Sequence, residues 1–196
     1  MAYATQMGAA RNSVITKEME AAAAKEGIAP AELMRQMAEG RAIIPCNKLH
    51  KSISPSAVGA ALKTKINVNL GTSRDMTDME MEFAKVRSAV DMGAEAIMDL
   101  SSFGDTRKFR RYLTENCPAM IGTVPIYDAV VYYHKPLAQI TTDEWIDIVR
   151  MHAEDGVDFM TIHCGLSRDN AAKFKRNKRL TNIVSRGGSI MFAWME

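Results

Sequence analysis

The sequence is short of the features that mark several large protein classes. Its 196 residues include only three cysteines, Cys46, Cys117 and Cys164. Their spacing builds neither a disulfide framework nor a CxxC metal knuckle. Three free thiols are expected, inert and mostly buried, Cys164 among them because no charged activator adjoins it in sequence. No apolar run approaches the roughly 18 residues of a membrane span, and the opening stretch MAYATQMGAARNSVITKEME lacks the apolar core of a secretory signal. A membrane partner is therefore not expected, and the cytoplasm is the expected compartment. A net charge of +2 is too small to call for a polyanionic partner. No GxGxxG opens a helix, which weighs against a dinucleotide-binding fold.

What is present is an ordinary globular composition, 47% hydrophobic and 24% charged. The 15 methionines suit the filling of irregular core gaps more than metal or redox chemistry. Residues 1–64 read as a helical lead-in. Ala21 to Ala24 lie in a strong helix former that Gly27 ends, and Pro30 suits the first turn of a second short helix. GRAIIP at 40–45 is a short apolar run closed by Pro45, and SISPSAVG at 52–59 reads as a loop.

From Lys65 a rhythm sets in. Apolar runs begin near 66 (INVNLG), 96 (AIMDLSS), 120 (MIGTVPIY), 158 (DFMTIHCG) and 181 (TNIVSRGG), with helical patterns between them. Thr77 with Glu80 and Thr141 with Glu144 spell capping boxes. Apolar faces follow them: Met79, Phe83, Val86 and Val90, then Trp145, Ile148, Val149 and His152. Gly93 and Gly156 each end a helix and lead into a strand. A repeating strand–helix unit of roughly thirty residues predicts a parallel sheet with helices outside, both of its faces covered. The barrel version is favoured over the doubly wound one. A complete barrel needs eight strands and about 250 residues, so residues 65–196 are expected to form a partial (β/α)8 TIM-type barrel of about five units. It would be truncated at the start of the fifth outer helix, leaving an unpaired last strand prone to self-association.

In such a barrel the site lies at the carboxyl ends of the strands. Those ends carry Asn67 and Asn69, Met98 and Asp99, Tyr127 and Asp128, His163 and Cys164, then Ser185, Arg186, Gly187 and Gly188. Each has an ordinary structural reading as well. Asn69 could end a strand before Gly71, Met98 could be core, Asp99 could cap a loop, Tyr127 could be an amphipathic tyrosine, and His163 could be a satisfied core histidine. VSRGGS is the sharpest local signal. Glycines that permit close approach, a helix amino terminus and a planar guanidinium suit a phosphate; a plain turn with a surface arginine suits the same letters. The basic stretch KFKRNKRL, Lys173 to Leu180, lacks a supporting basic stripe and reads as a solvated helix and loop, so no nucleic acid is expected. The acidic DMTDMEME at 75–82 reads as a helix amino-terminal turn.

Taken in order, TQM…AR…ITKEME, GRAIIP, KINVNLGTS, GAEAIMDLS, IGTVPIYDAV, AEDGVDFMTIHCG and IVSRGGSIM…W resemble the phosphomethylpyrimidine synthase family over nearly the whole chain. The resemblance implies a (β/α)8 barrel and a radical S-adenosylmethionine lyase. Its substrate, 5-aminoimidazole ribotide, is rearranged to the hydroxymethylpyrimidine phosphate of thiamine biosynthesis. A sister branch, 5-hydroxybenzimidazole synthase, makes the cobalamin lower-ligand base from the same ribotide. The resemblance implies substrate contacts at Asn69, Met98, Tyr127, His163, Ser185, Arg186 and Gly187. It also implies a 4Fe–4S cluster, S-adenosylmethionine and zinc, whose protein ligands in the family lie beyond residue 196, so no metal ligand is assigned here. A homodimer is implied at full length. The 196-residue chain alone is expected to be inactive, and a non-catalytic ribotide-binding module is the remaining alternative. HCG stands where many members have HAG, the segment between His163 and Ser185 is longer by two residues, and VVYYHKPLAQ diverges.

Overall fold

A computed structural model describes residues 3–174, 176 and 178–196. The lead-in folds around a core of its own. Thr5 caps α1 (Gln6–Arg11) and Thr16 caps α2 (Lys17–Glu26), each hydroxyl accepting the backbone N–H three residues on. Gly27 ends α2 in the left-handed region at φ 73°, and Pro30 opens α3 (Pro30–Ala38). β1 (Ala42–Ile43) pairs antiparallel with β2 (Val58–Gly59), so the stretch expected as a loop closes on a two-residue strand. Met19, Ala22, Ala23, Leu33, Met37, Ala42 and Ala57 are packed together and buried.

The remainder alternates strand and helix: β3 (Asn67–Leu70), α4 (Met79–Asp91), β4 (Ala96–Asp99), α5 (Thr106–Asn116), β5 (Met120–Thr123), α6 (Pro125–Tyr133), α7 (Thr142–Glu154), β6 (Phe159–Met160), α8 (Arg168–Phe174) and α9 (Arg186–Met195). A 3-10 turn, Leu137–Gln139, precedes α7. The four strands form one parallel sheet in the order β3-β4-β5-β6. The register aligns Val68, Ile97 and Ile121 on one face. There they meet Val86 and Ala89 of α4 and Phe109 and Leu113 of α5 in an apolar core. The opposite face carries Asn67, Asn69, Ala96, Met98, Met120, Gly122 and Phe159, because side chains alternate along a strand. Ala96 and Met120 are buried on it, whereas Asn67 and Asn69 are exposed.

Several sequence expectations change. Helices cover one face of the sheet, as expected; the other face, expected to be covered as well, is open at Asn67 and Asn69. The fifth apolar run makes no strand among the described residues: 182–185 has no regular structure, and Val184 is 78% exposed. β6 pairs over only two residues. Thr77 does not cap α4; the carboxylate of Asp78 accepts from Met81 N at 3.1 Å instead. The Thr141–Glu144 capping box is present in full on α7. MIGTVPIY stops being strand at Thr123, since Pro125 at the first helical position starts α6 and places Tyr127 and Asp128 in its first turn. No helix among the described residues is long and apolar enough to cross a membrane.

Two polar networks fix these elements. Asp158 accepts from Asn47 N at 2.8 Å, from Ile121 N at 2.7 Å, and from His50 Nδ1 at 2.7 Å. Together with Ser54 N to Pro118 O and Lys51 N to Thr114 O, it seats residues 47–54 against the amino ends of β5 and β6. On the helix side, buried Arg110 donates to Asp128 at 3.1 Å and to Asp155 at 3.0 Å. Arg107 and Arg111 also donate to Asp155. Thr106 donates to Asp128, and His152 bridges Asp128 (3.0 Å) and Thr123 (2.8 Å). Burial pushes the Asp128 and Asp155 carboxyls up. Their bonds outweigh it and hold both below the usual carboxylate range: His152, Arg110 and Thr106 at Asp128, the three arginines at Asp155. Burial holds His152 below its ordinary value against the pull of Asp128.

The signs of these shifts agree. Depressed carboxyls contribute stability above their unfolded value of about 4 that is lost as pH falls through the folded one, and a depressed histidine loses its contribution as pH falls below about 6.5. Urea unfolding is expected to show a progressive loss of stability below about pH 6.5 that His152→Gln shifts to lower pH. Arg110→Met removes one charged partner from each of two buried carboxylates and is expected to cost about 2–3 kcal/mol at neutral pH in the same measurement.

Candidate active-site rim

The carboxyl ends of the strands gather most of the residues singled out from sequence. After β6 the chain leaves the sheet and carries His163 to the rim. α9 begins beside it. Ser185 caps that helix, its hydroxyl accepting from Gly188 N at 3.1 Å, and stands 3.4 Å from His163 Nε2. Gly187 lies against the His163 imidazole so closely that a Cβ there would overlap the ring. His163 Nδ1 is buried with no hydrogen-bond partner, so the ring is not a satisfied core histidine. Arg186, in the first turn of α9, holds its guanidinium carbon 4.8 Å from the centre of the Tyr127 ring, a cation–π stack. That first turn contains no acidic residue, and the first N–H groups of a helix have no intrahelical acceptor. Tyr127, His163, Ser185, Arg186 and Gly187 thus form one contiguous group, electropositive at its centre.

Asn69 and Met98 belong to a second group. They are register partners on β3 and β4, and the row continues through Gly122 on β5 to Phe159 on β6. Asn67 Nδ2 donates to Asn69 Oδ1 at 3.0 Å. Among the described residues no hydrogen bond, ion pair or ring contact ties Asn69 or Met98 to the arginine group.

Other expected rim residues turn out differently. Asp99 is buried and accepts from Ser101 N at 2.8 Å; burial pushes its carboxyl up to about 6 against that bond. Ser101 in turn receives Thr72 N at 3.0 Å, lacing the loop after β3 to the loop after β4. Gly71 at φ 136° has room for no side chain, because a Cβ would press on the Leu100–Ser101 backbone. Asp128 faces the ionic network behind the sheet, away from the rim. Cys164 is exposed rather than buried, since strand pairing has ended at Met160. Cys117 is buried, and burial raises its thiol; the half-buried Cys46 is pushed up to about 11 by the same cause. Lys173, Arg176, Lys178 and Arg179 are exposed, and Lys175 lies outside the described residues.

The residues present do not fit a metal or cluster. Among the described residues no three His, Cys, Asp or Glu side chains are grouped to hold a metal ion, and the three cysteines are unpaired in separate surroundings. The arrangement supplies hydrogen bonds and positive charge, which bind and orient. Sequence reasoning overlooked Phe159 and the Arg110 network. A glycine inside an apolar strand, Gly122, was the available signal for the first, because such a glycine marks close approach.

A parallel α/β sheet with its polar groups collected at the strand carboxyl ends is the arrangement of an α/β enzyme site. The chain belongs to the radical SAM ThiC family, whose model matches residues 5–196. It is 60% identical over 196 residues to a phosphomethylpyrimidine synthase of Clostridium perfringens. Identity is 58% to one from Pelotomaculum thermopropionicum and 59% to one from Alkaliphilus oremlandii. All of this chain is matched in each case, and it spans 45% of each relative's length.

The raised carboxyl of Asp99 has its own pH signature. A folded value above the unfolded one means that its contribution falls as pH rises from about 4 to about 6. Asp99→Asn keeps an acceptor for Ser101 N and removes the buried charge. Its stability relative to the parent is expected to rise by about 1.4 kcal/mol between pH 5 and pH 8 in urea unfolding.

Proposed function

We propose that the protein carrying this chain is a phosphomethylpyrimidine synthase, a radical S-adenosylmethionine enzyme of thiamine biosynthesis that rearranges 5-aminoimidazole ribotide to hydroxymethylpyrimidine phosphate. The observation that carries the reading is the Arg186 guanidinium stacked on Tyr127 at the open amino terminus of α9, with Gly187 pressed on His163. Membership of the family and the names of its 58–60% identical relatives support it.

In this reading residues 65–196 are the first part of a (β/α)8 barrel and residues 1–64 a lead-in seated at its base. Arg186 and the first N–H groups of α9 grip the 5′-phosphate. Ser185 holds the turn in shape. Tyr127 keeps the guanidinium plane fixed, so less side-chain freedom is lost on binding. The free Nδ1 of His163 and the amide of Asn69 orient ribose and imidazole, and Met98 gives the apolar wall beside them. The cluster and S-adenosylmethionine supply hydrogen abstraction, and their ligands, like those of zinc, come from other residues than these. The roles assigned here are therefore binding and orientation. The ribotide is the partner, nucleic acid and membrane are not, and the assembly is a cytoplasmic homodimer.

Arg186→Ala in the intact protein is expected to weaken ribotide binding at least tenfold in calorimetry, while Lys175→Ala leaves it within twofold. Equal effects refute the phosphate role. Gly187→Ala displaces the His163 ring and is expected to weaken binding comparably with little change in melting temperature. Product analysis of the reconstituted enzyme checks the reaction: hydroxybenzimidazole in place of the pyrimidine assigns the protein to the sister branch.

A further inference from the structure

We infer that Phe159 is a further ligand-contacting residue, an aromatic floor on which the heterocycle of the bound ribotide stacks; this rests on the ribotide reading above. The register sets Asn69, Met98, Gly122 and Phe159 in one row across the sheet, on the face away from the helices. A barrel interior is ordinarily filled by bulky branched side chains in such a layer. Here one position is a glycine, and the edge of the Phe159 ring lies in the space that a Cβ at Gly122 would take. In the layer below, Ala96 and Met120 are buried and Asn67 at the β3 edge is exposed. The row itself opens: Gly122 is buried, Phe159 and Met98 are half-buried and Asn69 is exposed.

Glycine at 122 thus lets the ring settle against the sheet while part of it stays uncovered. The chain rises from this row to the anion group by short segments, four residues from Phe159 to His163 and five from Gly122 to Tyr127. A ligand held at one end by Arg186 would lay its other end over this row. The chemistry that suits the row is a flat heterocycle with polar edges, stacked on a phenyl ring and met at its rim by the Asn69 amide. Stacking of a base on an aromatic side chain is typically worth about 1–3 kcal/mol by alanine substitution.

The test compares two probes on the intact protein, 5-aminoimidazole ribotide and ribose 5-phosphate, which lacks the heterocycle. Phe159→Ala is expected to weaken the ribotide about tenfold or more and leave ribose 5-phosphate within twofold, and Phe159→Tyr to restore ribotide affinity. Unchanged ribose 5-phosphate binding also reports that the variant is folded. Equal weakening of both probes, or no weakening of either, overturns the floor. Phe159→Leu, which keeps apolar volume without the ring, is expected to behave as the alanine variant; full ribotide affinity in it overturns stacking. Wild-type protein that binds neither probe overturns the ribotide reading, and the floor falls with it. Arg186→Ala weakens both probes, which separates the phosphate grip from the stack.

Discussion

Arg110 lies between two buried carboxylates, and the helical wall behind the sheet depends on it. It donates to both, beside His152 and Thr106 at Asp128 and Arg107 and Arg111 at Asp155, where an unpaired buried charge would cost several kcal/mol. The guanidinium joins the middle of α5 to the first turn of α6 and to the end of α7. His152 closes the circuit onto the last residue of β5 through Thr123. A fork of five donors is required here, since one side chain must meet two acceptors in fixed directions. A lysine would meet one and leave the other short. The consequence reaches the rim, because Asp128 is the neighbour of Tyr127 on that first turn. Holding Asp128 from behind fixes the backbone that presents the tyrosine ring to Arg186.

A second constraint operates at the opposite end of the sheet. Asp158, placed just before β6, takes three donors from two distant parts of the chain. Its side chain and that of His50 are both fully buried, so the bond between them draws the lead-in against the strand ends. Asn47 adds two bonds to the carbonyls of Ala153 and Val157, at the end of α7. The acid of the GVDF motif, legible in sequence only as an echo of GAEA, is a bolt between lead-in and sheet. Its counterpart Glu95 accepts Ile66 N at 2.7 Å and does the same local work for β3. The two echoing acids serve one purpose, satisfying backbone N–H groups at the amino ends of strands.

Those cases define what the sequence made visible. Local chemistry was legible: the left-handed Gly27, the Thr141–Glu144 box, Pro30 and the four paired strands follow from rules that span a few residues. Long-range pairing was not. Asp128 reads like any polar residue after an apolar run, and only its meeting with Arg110 and His152, both distant in sequence, assigns it to the interior. Tyr127 was placed on the rim for a reason that proved incorrect. It is not a strand end; Pro125 turns the chain into a helix whose first turn happens to face the same rim. Cys164 was misjudged because burial depends on where strand pairing stops, and β6 stops after two residues. The five residues of the anion group were each legible as candidates, yet their contact with one another, and the bare Nδ1 of His163, required the fold.

The stack of Arg186 on Tyr127 explains why an exposed arginine can hold a fixed direction. Left alone on the first turn of a helix, a guanidinium samples many rotamers, and ordering it on binding costs of the order of 0.5–1.5 kcal/mol. Lying on an aromatic face, it keeps its plane while its edge N–H donors remain free for a ligand. The ring itself is held by the α6 turn, and that turn by the Asp128 network. Rigidity therefore passes outward from a buried ion chain, through one aromatic ring, to a cation left in solvent. An arginine fixed through such a chain selects for the shape of an anion as well as its charge, which is what a planar donor fork over a helix amino terminus is suited to read.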